Sequence, residues 1–277
     1  MLPAGENLNF VDTHMHTNLS NDADKRITID AYCVKAAKVG FNAIAITEHI
    51  EMNAWEKDGF VNTFEKSMTA NTKAKEKYPF LISGIEMGQA TQNIADAEKV
   101  LQDKRLDFVI GSIHELPGRE DFAFLNFHNV DVNLLLRENF LEILRLCKWG
   151  KFDVLGHLTY VLRYMSKAGI TVDLRPYNDI IAEAFKTIIA KGKGIEINVS
   201  GYRADYGKTF PTLKYVKLFK DLGGDVITVG SDSHAMHNFD RAIRSDLKKG
   251  AQIALDAGFQ YYTVFREHKP TKVKIET

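Results

Sequence analysis

Residues Ala43-Ile44-Ala45-Ile46-Thr47-Glu48-His49 form a short apolar run that turns polar at its C-terminal end. The same figure recurs at Asn9–His14, Phe80–Met87, Asp107–His114, Asp153–His157, Gly194–Ser200 and Asp225–Ser231. These runs are mostly rich in Ile and Val, which suits strands buried on both faces of a parallel sheet. The stretches between them read as helices. Thr28 can cap one that runs from Asp30 towards Gly40. Leu136, Phe140, Ile143, Leu144 and Cys147 share one helical stripe. Ile180, Ile181, Ala184, Phe185, Ile188 and Ile189 share another, stopped by Gly192. Leu213, Val216, Phe219 and Leu222 make a third, stopped by Gly223. A further helix is expected around Phe60–Lys77. The alternation predicts βα units and a parallel sheet.

The polar ends decide whether that sheet is open or closed. In an open sheet, only the strands near the switch point contribute to a site. In a barrel, all strand ends converge on one mouth. Polar residues stand at the end of nearly every strand here. The expected fold is therefore a closed (β/α) barrel of about seven strands, a distorted relative of the eight-stranded form.

Composition agrees with a globular chain. Its 277 residues are 45% hydrophobic and 26% charged, which excludes disorder as a class. No Gly/Ser linker, charge block or low-complexity tract divides them, so residues 1–277 are expected to form a single domain. Lys plus Arg and Asp plus Glu each number 36, which argues against a general polyanion-binding surface. No apolar stretch approaches the roughly 18 residues of a membrane span. The opening MLPAGENLNF lacks the basic and apolar regions of a signal peptide. Cys33 and Cys147 lie far apart in expected helices and read as buried thiols of a reducing, cytoplasmic setting.

Six of the nine histidines stand at strand ends: His14, His16, His49, His114, His157 and His234. Three carboxylates join them, Asp22, Glu86 and Asp232. Alternate residues of a strand point the same way, so His14 and His16 in Asp12-Thr13-His14-Met15-His16 can chelate one cation. Asp232 and His234 repeat that spacing on the last strand. Neutral imidazoles suit zinc, iron or manganese, and the carboxylates keep manganese in range. Nine ligands exceed the four that zinc usually takes, so two or three divalent ions are implied, bridged by at least one carboxylate. A bridged pair generates hydroxide at neutral pH and clamps both oxygens of a displacement. Three such cations would outweigh the three carboxylates. The mouth then favours a dianion, as a phosphate monoester supplies.

Other residues take supporting readings. Asp22 could equally be a turn or cap residue in Ser20-Asn21-Asp22. Asp12 is expected to orient a ligating imidazole, and Glu48 to support the site or lie on the surface. His128, His237 and His268 fall outside the strand-end pattern. Glu115–Asp131 carries Phe122, Phe124 and Phe127 and reads as a lid over the mouth or a packed loop. Glu115 follows His114 and could pair with a substrate ammonium. Arg163 and Arg203 lie in the loops after the fifth and sixth strands and could grip phosphoryl oxygens. The sixth strand supplies no expected metal ligand, which leaves its end for substrate.

The ordered set Asp12–His16, Thr47-Glu48-His49, Glu86, Ser112-Ile113-His114, Gly156-His157 and Ser231-Asp232-Ser233-His234 resembles the PHP (polymerase and histidinol phosphatase) family. Within it, the length and the GFNAIAITEH and DFVIGSIH stretches look like the stand-alone histidinol-phosphate phosphatases. The resemblance implies a distorted (β/α)7 barrel with a trinuclear site. His14, His16, Glu86 and Asp232 would hold the first ion. Glu86 would bridge to a second, also bound by His114 and His157. Asp22, His49 and His234 would hold the third, with Asp22 standing where many members have His. The resemblance implies hydrolysis of a small phosphate monoester, L-histidinol phosphate above all, with Asp232 or His234 handling the leaving-group proton.

Three alternatives stand beside this. The first is a relative acting on a nucleotide or another phosphorylated metabolite. The second is an exonuclease, which would want a basic groove interleaved with stacking aromatics, and no such cluster is present. The third is a non-catalytic metal-binding barrel, which would lack ligands that this chain has. The sequence leaves the oligomeric state open.

Overall fold

The computed structural model describes residues 10–276. The N-terminal stretch read for a signal peptide, through Asn9, lies outside them. In chain order come β1 (Phe10–Met15), α1 (Ile29–Val39), β2 (Phe41–Glu51), α2 (Phe60–Lys77), β3 (Leu81–Gly88), α3 (Ile94–Val100), β4 (Phe108–Ser112), α4 (Val132–Trp149) and β5 (Val154–Leu155). Then follow α5 (Leu162–Lys167), α6 (Asn178–Ala190), β6 (Gly194–Asn198), α7 (Leu213–Asp221), β7 (Ile227–Gly230), α8 (Met236–Arg241), α9 (Leu247–Asp256), β8 (Tyr261–Arg266) and β9 (Lys269–Lys274). All seven expected strands are present, and β1 to β7 pair in sequence order in one parallel sheet.

The sheet nearly closes on itself. Met15 bridges Ser233, the Asp232 N–H donates to His14 O at 2.7 Å, and the His16 N–H donates to Ser233 O at 2.9 Å. Closure brings the first and last strand ends side by side, which an open sheet would hold apart. Strands β1, β3, β4, β6 and β7 are buried along their length, as their Ile/Val-rich runs require.

The helices follow the stripes read from sequence. Thr28 Oγ1 accepts the Ala31 N–H at 3.2 Å, and Gly40 ends α1 in the left-handed conformation. Phe185 of α6 packs edge-on against Phe219 of α7, with ring centroids 5.3 Å apart. The 115–131 segment is a packed loop: Phe122 and Phe127 are buried, and the Phe122 N–H bonds to His114 O at 3.0 Å. Phe124 is 80% exposed on its outer side. Cys33 and Cys147 are buried free thiols. No helix among the described residues is long and apolar enough to cross a membrane.

One element was not expected, although its first strand, Tyr261-Tyr262-Thr263-Val264-Phe265, carries the aromatic and β-branched residues that strands favour. The antiparallel hairpin β8–β9 turns at Glu267 and His268, both with positive φ (50° and 60°), rather than at the Asn-Gly pair such turns favour. Contacts with the barrel hold this turn in place of intrinsic propensity. Asp107 accepts the Glu267 N–H through its side chain and the His268 N–H through its carbonyl, at 3.1 and 2.9 Å.

Candidate metal centre

Five of the seven expected segments deliver ring nitrogens or carboxylates to one point at the mouth. Glu86 on β3 is fully buried and lies at the centre. Its Oε2 lies 3.1 Å from His14 Nε2, 3.5 Å from His16 Nε2 and 3.0 Å from His49 Nδ1. Its Oε1 lies 2.6 Å from His157 Nε2 and 3.0 Å from His114 Nε2, and accepts from Ser112 Oγ at 2.8 Å. The two oxygens thus serve two different sets of imidazoles. Asp232 sits between further groups, its Oδ1 3.5 Å from His16 Nε2, 3.9 Å from His14 Nε2 and 3.4 Å from His234 Nδ1. Asp22 is more exposed, yet its Oδ2 lies 3.0 Å from His234 Nε2 and 3.5 Å from His49 Nε2. The His16 ring is stacked between His49 and His234, at 4.1 and 4.2 Å.

The donor chemistry fits divalent cations. His14 directs Nδ1 at Glu196 Oε1, 2.7 Å away, and His114 directs Nδ1 at Glu51 Oε1, 2.8 Å away. A proton held on Nδ1 by a carboxylate leaves Nε2 as a bare lone pair. Those lone pairs then face other acceptors: His14 Nε2 faces His16 Nε2 at 3.0 Å, and His114 Nε2 faces His157 Nε2 at 3.4 Å. His49 and His234 form a third such pair at 3.3 Å. Each pair needs a cation between its nitrogens; against burial, the neighbouring carboxylates raise the pKa of His14, His49 and His114 so that a proton can serve, and a metal ion can take that place. Among the described residues, four clusters have ligand atoms close enough to share an ion: His14, His16 and Glu86; Glu86, His114 and His157; His16, His49 and His234; and His49, Glu51 and His114.

The electrostatics show the same strain. Burial opposes charge on Glu86, but His14, His114 and His49 outweigh it and hold its carboxyl well below the usual range. Burial likewise opposes charge on Asp232, and Arg163 and the imidazoles overcome it. His16, buried beside His49 and His234, is held neutral.

Two residues that sequence reasoning missed orient the ligands. Glu196 on β6 holds His14 and accepts the His157 N–H at 2.9 Å. Glu51, at the end of β2, holds His114. Each sits over a glycine: a Cβ at Gly230 would collide with Glu196, and one at Gly88 with Glu51. The available signal was an acid facing inward in Gly194-Ile195-Glu196-Ile197-Asn198, an otherwise apolar strand. The end of β6 is therefore not left free, as expected from sequence; it is occupied by Glu196, and by Asn198 and Ser200 beneath Asp232.

Two further readings change. Asp12 does not orient an imidazole. Its Oδ1 accepts the N–H groups of Ser231 and His14, at 2.8 and 3.3 Å, and burial pushes its pKa up to about 7. Asp232 does not continue a strand; β7 ends at Gly230, and Asp232 has φ of 53°. Glu48 is buried and holds the loop after β1, accepting from Ser20 Oγ at 2.5 Å and the Thr17 N–H at 3.1 Å.

The remaining residues lie around the rim. Arg163 Nη2 donates to Asp232 Oδ2 at 2.8 Å and also to Ser200 Oγ. Arg203 spends its fork on the carbonyls of Ser231 and Asp232, each at 2.8 Å. Glu115 accepts from Asn53 Nδ2, in the loop after β2. Its pKa is raised by burial and by the nearby carboxylates of Asp121 and Glu51. His128 and His237 are exposed, and His268 is at the far end of the barrel.

A parallel barrel that gathers paired imidazoles around a shared carboxylate at its mouth has the architecture of a metal-dependent hydrolase. A PHP domain model matches residues 12–200, and the chain belongs to that family. A protein of Clostridium acetobutylicum named "Probable histidinol-phosphatase" is 29% identical over 240 residues, covering 86% of this chain and 91% of its own. One of the same name from Thermotoga maritima is 28% identical over 244 residues, covering 87% and 91%. The histidinol phosphate phosphatase of Lactococcus lactis, solved with zinc, L-histidinol and phosphate, superposes with a TM-score of 0.75 at 22% identity. That likeness covers 96% of this chain and all of the other, and it shows the shared fold.

Proposed function

We propose that this chain is a metal-dependent phosphatase that hydrolyses L-histidinol phosphate to L-histidinol and phosphate. The observation that carries the reading is the division of Glu86, with one oxygen toward His14, His16 and His49 and the other toward His114 and His157. The names and coverage of the relatives favour this substrate. Two or three zinc, manganese or iron ions would be held by His14, His16, Glu86 and Asp232, by Glu86, His114 and His157, and by Asp22, His49 and His234. When bound, they supply Lewis acidity, an activated water and neutralisation of phosphoryl charge.

The chain's own groups do the rest. Glu196 and Glu51 fix the tautomers of His14 and His114, so that Nε2 is the ligating atom. Arg163 lies beside Asp232 and offers a cationic fork to the phosphoryl oxygens. Arg203 fixes the Ser231–Asp232 backbone and adds positive potential behind it. Asp232 or His234 would take a proton from the attacking water and give it to the leaving alkoxide oxygen as the P–O bond breaks. Glu115, just after the ligand His114, pairs with the substrate ammonium. The barrel acts as one catalytic unit: β6, at the end of the family match, supplies Glu196, and the segment after β7, beyond that match, supplies Asp232 and His234. The two buried thiols suit a reducing, cytoplasmic setting.

A phosphate-release screen of zinc- or manganese-supplemented protein tests the reading, with L-histidinol phosphate set against nucleotides and sugar phosphates. The expected result is a clear preference for L-histidinol phosphate. A preference for a nucleotide or sugar phosphate would move the substrate assignment while leaving the metal centre standing.

A further inference from the structure

The six imidazoles at the mouth are not all held in the same way. His14 and His114 each set a ring nitrogen against a carboxylate, Glu196 and Glu51. His16 Nδ1 meets Ser20 Oγ at 3.3 Å, and His234 Nδ1 meets Asp232 O at 3.0 Å. His49 directs one nitrogen at Glu86 and the other at Asp22. His49 Nδ1, although 3.0 Å from Glu86, makes no hydrogen bond, and His157 shares that condition among the described residues: it reaches Glu86 and His114 through Nε2, and its Nδ1 makes no hydrogen bond.

An aromatic ring lies against it instead. Tyr160 stacks on His157 with centroids 4.7 Å apart and planes at 33°, and touches the His114 ring at 5.0 Å. On Tyr160 also rests the Arg163 guanidinium, 5.1 Å from the ring centroid. Arg163 meets a second ring, Phe210, at 5.5 Å, and Phe210 is stacked on Tyr206 at 5.0 Å. Local backbone geometry builds the start of this column. The Tyr160 N–H donates to His157 O at 2.7 Å and the Arg163 N–H to Tyr160 O at 2.9 Å, so successive turns bring residues 157, 160 and 163 into line. The Tyr160 hydroxyl is engaged elsewhere, 2.7 Å from the Tyr164 hydroxyl.

An imidazole with one unheld nitrogen can swing about its Cβ–Cγ bond, and a swinging ring is a poor ligand. Face packing limits that rotation as a hydrogen bond would. The Tyr160 ring also attracts the guanidinium through its quadrupole. We propose that Tyr160 is a positioning residue: its ring, not its hydroxyl, fixes the His157 imidazole towards Glu86 and the Arg163 fork towards Asp232. This rests on the reading of His157 as a metal ligand and of Arg163 as a phosphate contact.

The test compares Tyr160→Phe with Tyr160→Leu in zinc-loaded protein. One readout is zinc retained against a graded chelator. The other is kcat and KM for L-histidinol phosphate and for p-nitrophenyl phosphate. Tyr160→Leu should release part of its zinc at a roughly tenfold lower chelator concentration, in line with the effect of ligand-orienting groups. Its kcat/KM should fall by about tenfold or more on both substrates. Tyr160→Phe should stay within about threefold of the parent on every measure. If Tyr160→Leu fails to fold, Tyr160→Met, unbranched and non-aromatic, takes its place with the same expectations. Parent-like zinc retention and kinetics in the non-aromatic variant would overturn the proposal. So would a Tyr160→Phe variant as impaired as Tyr160→Leu, which would assign the role to the hydroxyl. A parent protein that holds zinc but ignores L-histidinol phosphate would count against the substrate reading alone, since zinc retention still decides the role of Tyr160. A parent that holds no zinc would overturn both.

Discussion

At the base of the barrel, Asp107 accepts from the Ser83 and Glu267 N–H groups at 2.9 and 3.1 Å and pairs with Lys75 at 2.6 Å. Asp153 accepts from the Val109 N–H at 2.9 Å and meets His268 Nδ1 at 2.8 Å. At the mouth, Glu86 faces five imidazoles, four of which also set their Nε2 atoms against one another in two pairs. Both ends bury carboxylates beside histidines. At the base every acid has a donor on a fixed backbone, and the result is a clamp that docks β8–β9 on the starts of β4 and β5. At the mouth the imidazoles and acids answer mainly one another rather than fixed backbone donors, and the cluster can exchange its protons for metal cations. The same residue types therefore serve stability at one end and chemistry at the other, according to whether local donors satisfy them.

The most severe way to break this contrast is Glu86→Ala. It should release metal and lower turnover by about a thousandfold or more, equivalent to roughly 4 kcal/mol of barrier, while the metal-free barrel stays folded. Metal analysis, phosphate release and circular dichroism would show this together; activity within a few-fold of the parent would remove Glu86 from the centre. Next come Glu196→Gln and Glu51→Gln, each expected to weaken zinc binding by about 10- to 100-fold in a chelator competition. Gly230→Ala should do the same by displacing Glu196. Arg163→Ala should lower kcat/KM by about 10- to 100-fold with metal content intact. Unchanged kinetics would leave phosphate binding to the metals.

The base responds in the other currency. Asp153→Ala should cost about 3 kcal/mol in a urea or thermal unfolding measurement, because it strands Val109 N–H and His268, while zinc content holds. A loss of zinc there would mean that the two ends are coupled. The smallest effect is one of pH. The hydrogen bond to Asp153 raises the His268 pKa above its ordinary 6.5, against the opposing effect of burial. A raised folded pKa contributes stability that is fully present below about pH 6.5 and is lost as pH climbs through the folded value. His268→Asn tolerates the left-handed backbone and removes the charge. Its melting temperature should fall short of the parent's most in mildly acid solution, and the gap should narrow towards alkaline pH. A gap that widened with pH would contradict the pairing.

Much of this was legible in the sequence, because the apolar runs and helical stripes are local periodicities. The strand ends could also be read, since a His or acid closing an Ile/Val run is anomalous against its surroundings. Glu196 and Glu51 were harder: each is an acid among polar or apolar neighbours whose meaning depends on a histidine 182 or 63 residues away. The hairpin turn was hard to read because Glu267-His268 lacks the Asn-Gly signature of such turns, and contacts with Asp107 hold its positive φ angles.

The sequence by itself determined the seven βα repeats, the barrel they imply and the residue types at its mouth, since burial and periodicity act over a few neighbouring positions. Only the tertiary structure decided which nitrogen meets which oxygen. It set Glu86 between two groups of imidazoles, turned Arg203 onto backbone carbonyls, and placed Tyr160 against His157. Those outcomes depend on barrel closure, which brings Met15 against Ser233, and on angles of approach that no linear spacing encodes.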